Sequence, residues 1–264
     1  MNYQPVSCVE KTSCAKEKLV EEVLKSFNTW RFKRSQPSDA GLLQDFVAKA
    51  VVSGNPVPFV LYWGKGFRSQ TGASERACIG YLSDLGRKIA DVYEPGAEFD
   101  ILYTDTHAAL NGHAAGDVEE YLGSLRADCG EEFAVRRLSD VVAASRVRQG
   151  EVPPVAPEEA AAMIAKLVGC AEKWYRGHGR PADGAARYYW MNMRERVAVE
   201  RIFPKSIFVT FNGSEMRPIF PSNLPVFYMY SIKKGTSVKP WFMDEPGAGA
   251  HTSSEGAGAQ AVSA

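Results

Sequence analysis

A charged, glycine-rich turn, Gly-Lys-Gly-Phe-Arg-Ser, occupies residues 64–69 directly after an apolar run. Gly64 and Gly66 let the backbone approach a ligand closely, and amides at a following helix start can hold an anion or carboxylate. Lys65 and Arg68 supply charge, and Ser69 supplies a hydroxyl. The spacing is neither GxGxxG nor the Walker A pattern GxxxxGK[ST], so a standard nucleotide site is disfavoured. A turn that merely needs two glycines is the plainer alternative. Tyr103-Thr104-Asp105-Thr106-His107 closes a second apolar run and leads on to Asn111, Gly112 and His113. Small polar groups gathered where a buried strand ends suit a binding site. Asp105 could take an amine or hydroxyl of a substrate, with Thr106 and Asn111 beside it. His107 could exchange protons near neutral pH, although a lone histidine is more often structural.

A third candidate lies on a long helix read over 182–202. Spacing of three and four from Tyr188 puts Tyr188, Met191, Asn192, Glu195, Val199 and Ile202 on one stripe. A carboxylate on an apolar stripe is either paired or at work, because its charge is costly away from water. Arg187, Arg194 and Arg201 recur every seven residues as a separate basic stripe, which could track phosphates or simply face solvent. Near the C-terminus, Asn212-Gly213-Ser214-Glu215 follows one strand. Tyr228 and Tyr230 alternate with Phe227 and Met229 on the next, so period two sends both phenols to one side. They could face a pocket or be core tyrosines with satisfied hydroxyls.

These residues need a scaffold, and the pattern supplies one. Helices are expected over 16–32 (apolar face Leu19, Val23, Phe27, Trp30), 39–53 (Asp39 as N-cap), 74–93, 117–127, 157–174 and 182–202. Strands are expected over 56–63, 98–105, 132–140, 206–213 and 225–232, the first two as continuous apolar runs buried on both faces. Strand and helix in alternation predict an α/β, Rossmann-like parallel sheet with helices on both faces, forming one domain over 1–243. Ligands of such sheets bind beyond the carboxyl ends of the strands. The remaining Gly/Ala/Ser-rich stretch, 244–264, is expected to be a disordered tail.

Composition narrows the setting. No stretch approaches the ~20 apolar residues of a membrane span, and residues 1–18 lack a signal-peptide core, so a cytoplasmic protein is expected. The five cysteines form no CxxC or CxxH pair, and no motif implies a metal or a cofactor. Net charge is zero but uneven. Residues 71–160 carry 17 Asp and Glu against 8 Lys and Arg, whereas residues 161–240 carry 13 Lys and Arg against 5 Asp and Glu. The basic half suggests an anionic partner, or complements the acidic half within the fold.

The segments ILYTDTHAALNG and FAVRRLSDV, the helix bearing Tyr188 and Glu195, and the closing FPSNLPVFYMYS resemble the tRNA-dependent cyclodipeptide synthases over residues 56–232. Those enzymes are related to the catalytic domain of class I aminoacyl-tRNA synthetases. The resemblance implies an aminoacyltransferase that joins two aminoacyl-tRNAs into a cyclic dipeptide. Its nucleophile would be Ser69, with Tyr188 and Glu195 holding the amino group and Tyr228 in the pocket. Gly64, Lys65, Gly66, Asp105, Thr106, Asn111, Asn192, Glu215 and Tyr230 would complete the substrate site. Arg187, Arg194 and Arg201 would meet tRNA, with neither DNA nor a membrane as partner. Two features depart from the family's pattern: GKGFRSQ replaces its glycine–serine turn, and Glu195 stands seven residues after Tyr188, where the family's spacing of four falls on Asn192. Both suggest a divergent branch, such as the arginine-using synthases. Arginyl-tRNA is accordingly the first substrate candidate, its side chain received by Asp105, Glu195 and Glu215.

A second resemblance is to the isocyanide synthases that act on tyrosine or tryptophan. It lies in GNPVPFVLYWGKG, YEPGAEFDILYTD and RERVAVERIFPKSIFVTFNG. A non-catalytic amino-acid-binding protein is the third class.

Overall fold

The computed structural model describes residues 8–243. The expected tail over 244–264 therefore lies outside the described residues. Helix α1 (Cys8–Phe27) and α2 (Ala40–Ser53) precede the first strand, β1 (Val57–Trp63). Asp39 caps α2 by accepting from the Leu42 amide at 2.8 Å, and Gly54 closes it in the left-handed region at φ 68°. There follow α3 (Ala73–Ala90), β2 (Ala97–Tyr103), α4 (Asp105–Leu110), α5 (Ala115–Cys129), β3 (Ala134–Arg137) and α6 (Leu138–Ser145). A pair of packed helices, α7 (Pro157–Trp174) and α8 (Pro181–Ile202), leads to β4 (Ile207–Thr210), β5 (Val226–Tyr228) and the short α9 (Pro240–Met243). Both α7 and α8 begin with proline, whose fixed φ suits a first helical turn.

All neighbouring strands pair in parallel, in the order β3-β2-β1-β4-β5. The chain winds outward from β1 through β2 to β3, then returns to the other side of β1 with β4. This makes the β1–β4 junction the topological switch point, where such sheets form a crevice. The expected Rossmann-like parallel sheet with helices on both faces is the architecture found. Alternate residues divide the faces: Phe59 meets Phe27 of α1 at 5.5 Å, and Tyr103 stacks on Tyr121 of α5 at 5.7 Å. Tyr62 points the other way, against Phe208 at 5.0 Å and His107 at 6.0 Å, toward the α6–α8 layer.

Four expectations are corrected. Helix α1 ends at Phe27 rather than at 32, and Trp30 is 51% exposed instead of lying on the apolar face. The chain turns there because Arg34 donates its amide to the Tyr228 carbonyl and Lys33 bridges Met229, tying this segment to β5. Residues 105–110 form α4 instead of a loop. The strand expected over 132–140 stops at Arg137 and becomes α6, whose Ser139 amide is capped at 3.0 Å by the Asp105 carboxylate. A cap supplied by a residue more than thirty positions away leaves no local sequence signal. Lastly, β5 ends at Tyr228, so Tyr230 escapes the alternation: its amide donates to Phe32 and its phenol neighbours Tyr81, whereas Tyr228 faces Arg217 and Glu215.

Candidate functional site

Beyond the carboxyl ends of β1 and β2, α4 and α8 bring together a carboxylate, a hydroxyl and an imidazole. Glu195, only 2% exposed, accepts from the Thr106 hydroxyl at 2.6 Å through one oxygen. Its second oxygen lies 2.7 Å from His107 Nε2. No lysine or arginine among the described residues forms an ion pair with it. Two phenols frame the pair: Tyr188 meets the His107 ring edge-on at 4.8 Å, and Tyr62 does so at 6.0 Å. Burial foremost, and then the Glu195 charge, raise both phenol pKa values above the ordinary range, so both tyrosines stay protonated donors.

One turn before Glu195, Asn192 donates from Nδ2 to the Tyr188 carbonyl at 2.7 Å. Its Oδ1 is buried with no hydrogen-bond partner, as is the Tyr62 hydroxyl. Buried polar atoms are paired in the great majority of cases, so two orphans near a buried carboxylate make this cluster the candidate site. Tyr188, Asn192, Glu195, Thr106 and His107 are thus brought into one cluster. Of the stripe expected on α8, Asn192, Glu195 and Val199 are buried, Tyr188 and Met191 are half-buried, and Ile202 is exposed.

The remaining candidates go elsewhere. Asp105 is spent on α6, both carboxylate oxygens accepting from the Ser139 amide and hydroxyl. Asn111 ends α4, its amide bonded to the His107 carbonyl at 3.0 Å. In the 64–69 turn the Lys65 ammonium donates to the Arg68 carbonyl and sits 5.3 Å over the Tyr121 ring. Arg68 donates to both oxygens of Glu75 at 2.8 and 2.7 Å. Thr71 ties the turn to Ser124 and Asp128 of α5. Gly66 is buried and Ser69 half-buried; no hydrogen bond among the described residues joins Ser69 to the Glu195 cluster. Gly64 has a clear steric reason: a Cβ there would stand 2.7 Å from the Trp241 ring, so α9 packs against the bare backbone.

Glu215 is exposed and folds back over Gly213, and the Tyr228 ring is buried beside Arg217. Within the basic stripe, Arg187 donates to the Tyr175 hydroxyl and the His178 carbonyl. Arg201 bonds the Ser145 carbonyl at 2.9 Å and pairs with Glu151 at 3.1 Å. Arg194 stands exposed. Tyr62, Arg196 and Glu75 were not singled out by the sequence. A tyrosine inside an apolar strand reads as core, and an arginine next to Glu195 reads as surface. The one available signal for Tyr62 was its position at the strand's carboxyl end. Among the described residues no cluster of His, Cys, Asp and Glu could hold a metal ion, Cys14, Cys78, Cys129 and Cys170 are free thiols, and no helix is long and apolar enough to cross a membrane.

No family profile and no curated protein matches the chain. Solved structures do. The PvcA protein from Pseudomonas aeruginosa superposes with a TM-score of 0.66 at 20% identity, over 84% of this chain and 87% of that one. Tyrosyl-tRNA synthetase from Archaeoglobus fulgidus, complexed with L-tyrosine, gives 0.48 at 13% identity over 80% of this chain and 63% of that one. The match to PvcA establishes that the two chains share a fold across nearly their whole lengths.

Proposed function

We propose that this chain is an enzyme of amino-acid chemistry, and specifically an aminoacyltransferase that builds a cyclic dipeptide from two aminoacyl-tRNAs. The observation that carries the reading is Glu195, buried and without a lysine or arginine partner, held by His107 and Thr106 at the strand ends. A buried carboxylate so placed attracts an ammonium or amine, and the imidazole on its other oxygen can relay the proton that an amine must lose before it attacks.

In this reading the amino group of the first aminoacyl ester rests on Glu195, with Asn192 Oδ1 and the Tyr188 phenol oxygen as further acceptors. The hydroxyl of Ser69 attacks the ester carbonyl, the bond to the tRNA ribose oxygen breaks, and that oxygen leaves with the proton. The amine of the second aminoacyl-tRNA displaces the serine oxygen, and ring closure releases the second tRNA. Ser69 stands on the 64–69 turn after β1, and no hydrogen bond among the described residues joins it to the Glu195 cluster. All three stripe arginines are exposed; among the described residues Arg194 is the one without a hydrogen bond to another element, whereas Arg187 and Arg201 are engaged by Tyr175, His178, Ser145 and Glu151. Arginine remains the first side chain to test, with Glu215 exposed at the strand ends to receive it.

A second reading, an isocyanide synthase acting on a free amino acid, is favoured by Arg196, a buried guanidinium with no carboxylate partner. An aminoacyl ester offers no free carboxylate, whereas a free amino acid does. Expression in bacteria with mass spectrometry of the medium separates the two. New cyclic dipeptides, lost in Glu195→Gln, support the transferase. Their absence, together with no salt-dependent binding of tRNA, removes it and brings the second reading forward.

A further inference from the structure

Arg196 lies on α8, next in sequence to Glu195 but on a different line of the helix. It is 9% exposed. Its Nη1 donates to the Pro218 carbonyl at 2.8 Å, and its Nε is buried with no partner. No Asp or Glu among the described residues forms an ion pair with it. The acid one turn along, Glu200, is occupied by the amides of Ser222 and Asn223, the Ser222 hydroxyl and the Asn223 side chain. Arg217, close enough to add its own positive charge, is likewise bound to carbonyls only, those of Phe220, Pro221 and Ser222. The Tyr62 hydroxyl, buried and unpartnered, lies within the electrostatic reach of Glu195 and Glu200 and, more weakly, of Arg196.

A guanidinium withdrawn from water without a counter-charge is costly, and removing it would relieve the apo protein unless something else uses the charge. From the orphaned Arg196 Nε and the orphaned Tyr62 hydroxyl we infer that the crevice between the carboxyl end of β1 and α8 holds an anion-binding subsite, which takes a carboxylate or phosphate oxygen of the substrate. Arg196 supplies the charge and one or two N–H donors, and Tyr62 supplies an O–H donor. The subsite stands beside the Glu195 acceptor for amines, so the two together would orient a ligand carrying both charges. It holds whichever of the two reactions the site performs.

Thermal unfolding with defined probes tests it. Wild type, Arg196→Met and Tyr62→Phe are titrated with inorganic phosphate, with free L-arginine and L-tyrosine, and with the amides of those amino acids. Sodium chloride at equal ionic strength is the control. The expected result is a saturable rise in wild-type Tm of about 5–10 °C at a hundredfold excess over Kd. A response to an amino acid but not to its amide identifies a carboxylate; a response to phosphate identifies a phosphate. Arg196→Met is expected to unfold at the wild-type temperature or above it without ligand, and to lose the response. Tyr62→Phe should retain the response with affinity about fivefold weaker.

No saturable response in wild type overturns the inference. So does a response that survives Arg196→Met, or a lower Tm of that variant without ligand, which would make Arg196 a strut for Pro218. Should Arg196→Met fail to fold, an unchanged response in Tyr62→Phe overturns it. A positive titration with no cyclic dipeptide in culture leaves the subsite standing while the transferase reading falls.

Discussion

Two glutamates lie buried at the same edge of the sheet, and they are treated in opposite ways. Glu75, fully buried on α3, receives both contacts from Arg68, the Gly72 amide at 3.0 Å and the Tyr121 hydroxyl at 3.2 Å. Tyr121 in turn accepts from Trp63 Nε1 at 3.2 Å. A permanent cation neutralises this carboxylate, and four hydrogen bonds close around its two oxygens. Glu195 has instead a hydroxyl and a titratable ring, with orphaned atoms of Tyr62 and Asn192 close by. The first arrangement fixes the 64–72 segment against α3 and α5. The second leaves hydrogen-bonding capacity unspent, which is what a binding site requires and a strut does not.

Breaking the closed network should cost the most stability. Arg68→Met leaves Glu75 buried without its counter-charge, and a loss of about 3 kcal/mol is expected in denaturant unfolding. A loss below about 1 kcal/mol would show that Glu75 is held chiefly by its neutral donors. Next in size is Gly64→Ala, whose added methyl meets the Trp241 ring. Overpacking of this kind costs about 1–3 kcal/mol, and tryptophan fluorescence should report displacement of Trp241. An unchanged midpoint and spectrum would return Gly64 to the role of a ligand-facing amide.

The last effect is a matter of pH. Burial first, and then the Lys65 ammonium, hold the His113 imidazole down at about 4. The folded chain therefore prefers the neutral ring. Nothing is lost above the ordinary value of 6.5; stability falls as pH drops from there toward about 4, where the folded form takes the proton as well. His113→Gln should flatten that part of the stability profile, measured by unfolding between pH 7 and pH 4. An identical slope in the variant would place the titration elsewhere.

How much of this was legible in the sequence follows from which signals are local. Continuous apolar runs located β1 and β2, Asp39 and Gly54 bounded α2, and Pro157 opened α7, each within a few residues. Glu195 was readable because a carboxylate interrupts an apolar helical stripe. The link of Glu195 to Thr106 and His107 was not, since those residues sit about ninety positions away and meet it only through the parallel sheet. α4 and α6 were invisible for a related reason: one is six residues long, and the other is capped by Asp105 from a distant turn. The same capping took Asp105 out of the site for which its position had recommended it. Arg187 and Arg201 show the converse. Seven-residue spacing identified a stripe correctly as a line on the helix, but only tertiary structure reveals that two of its members are occupied.

The central claim is that Glu195 works while Glu75 holds the fold, and one paired measurement addresses it. Product formation and Tm are compared for wild type, Glu195→Gln and Glu75→Gln under one condition. Glu195→Gln is expected to retain the wild-type Tm within about 2 °C, because the amide keeps a hydrogen bond to Thr106. It should nevertheless lose about 10²- to 10⁴-fold in turnover, as expected for removal of a group that binds the amine and carries its proton. Glu75→Gln should show the reverse, a lowered Tm with turnover per folded molecule close to wild type. Full turnover in Glu195→Gln, or its collapse into an unfolded chain, would contradict the account.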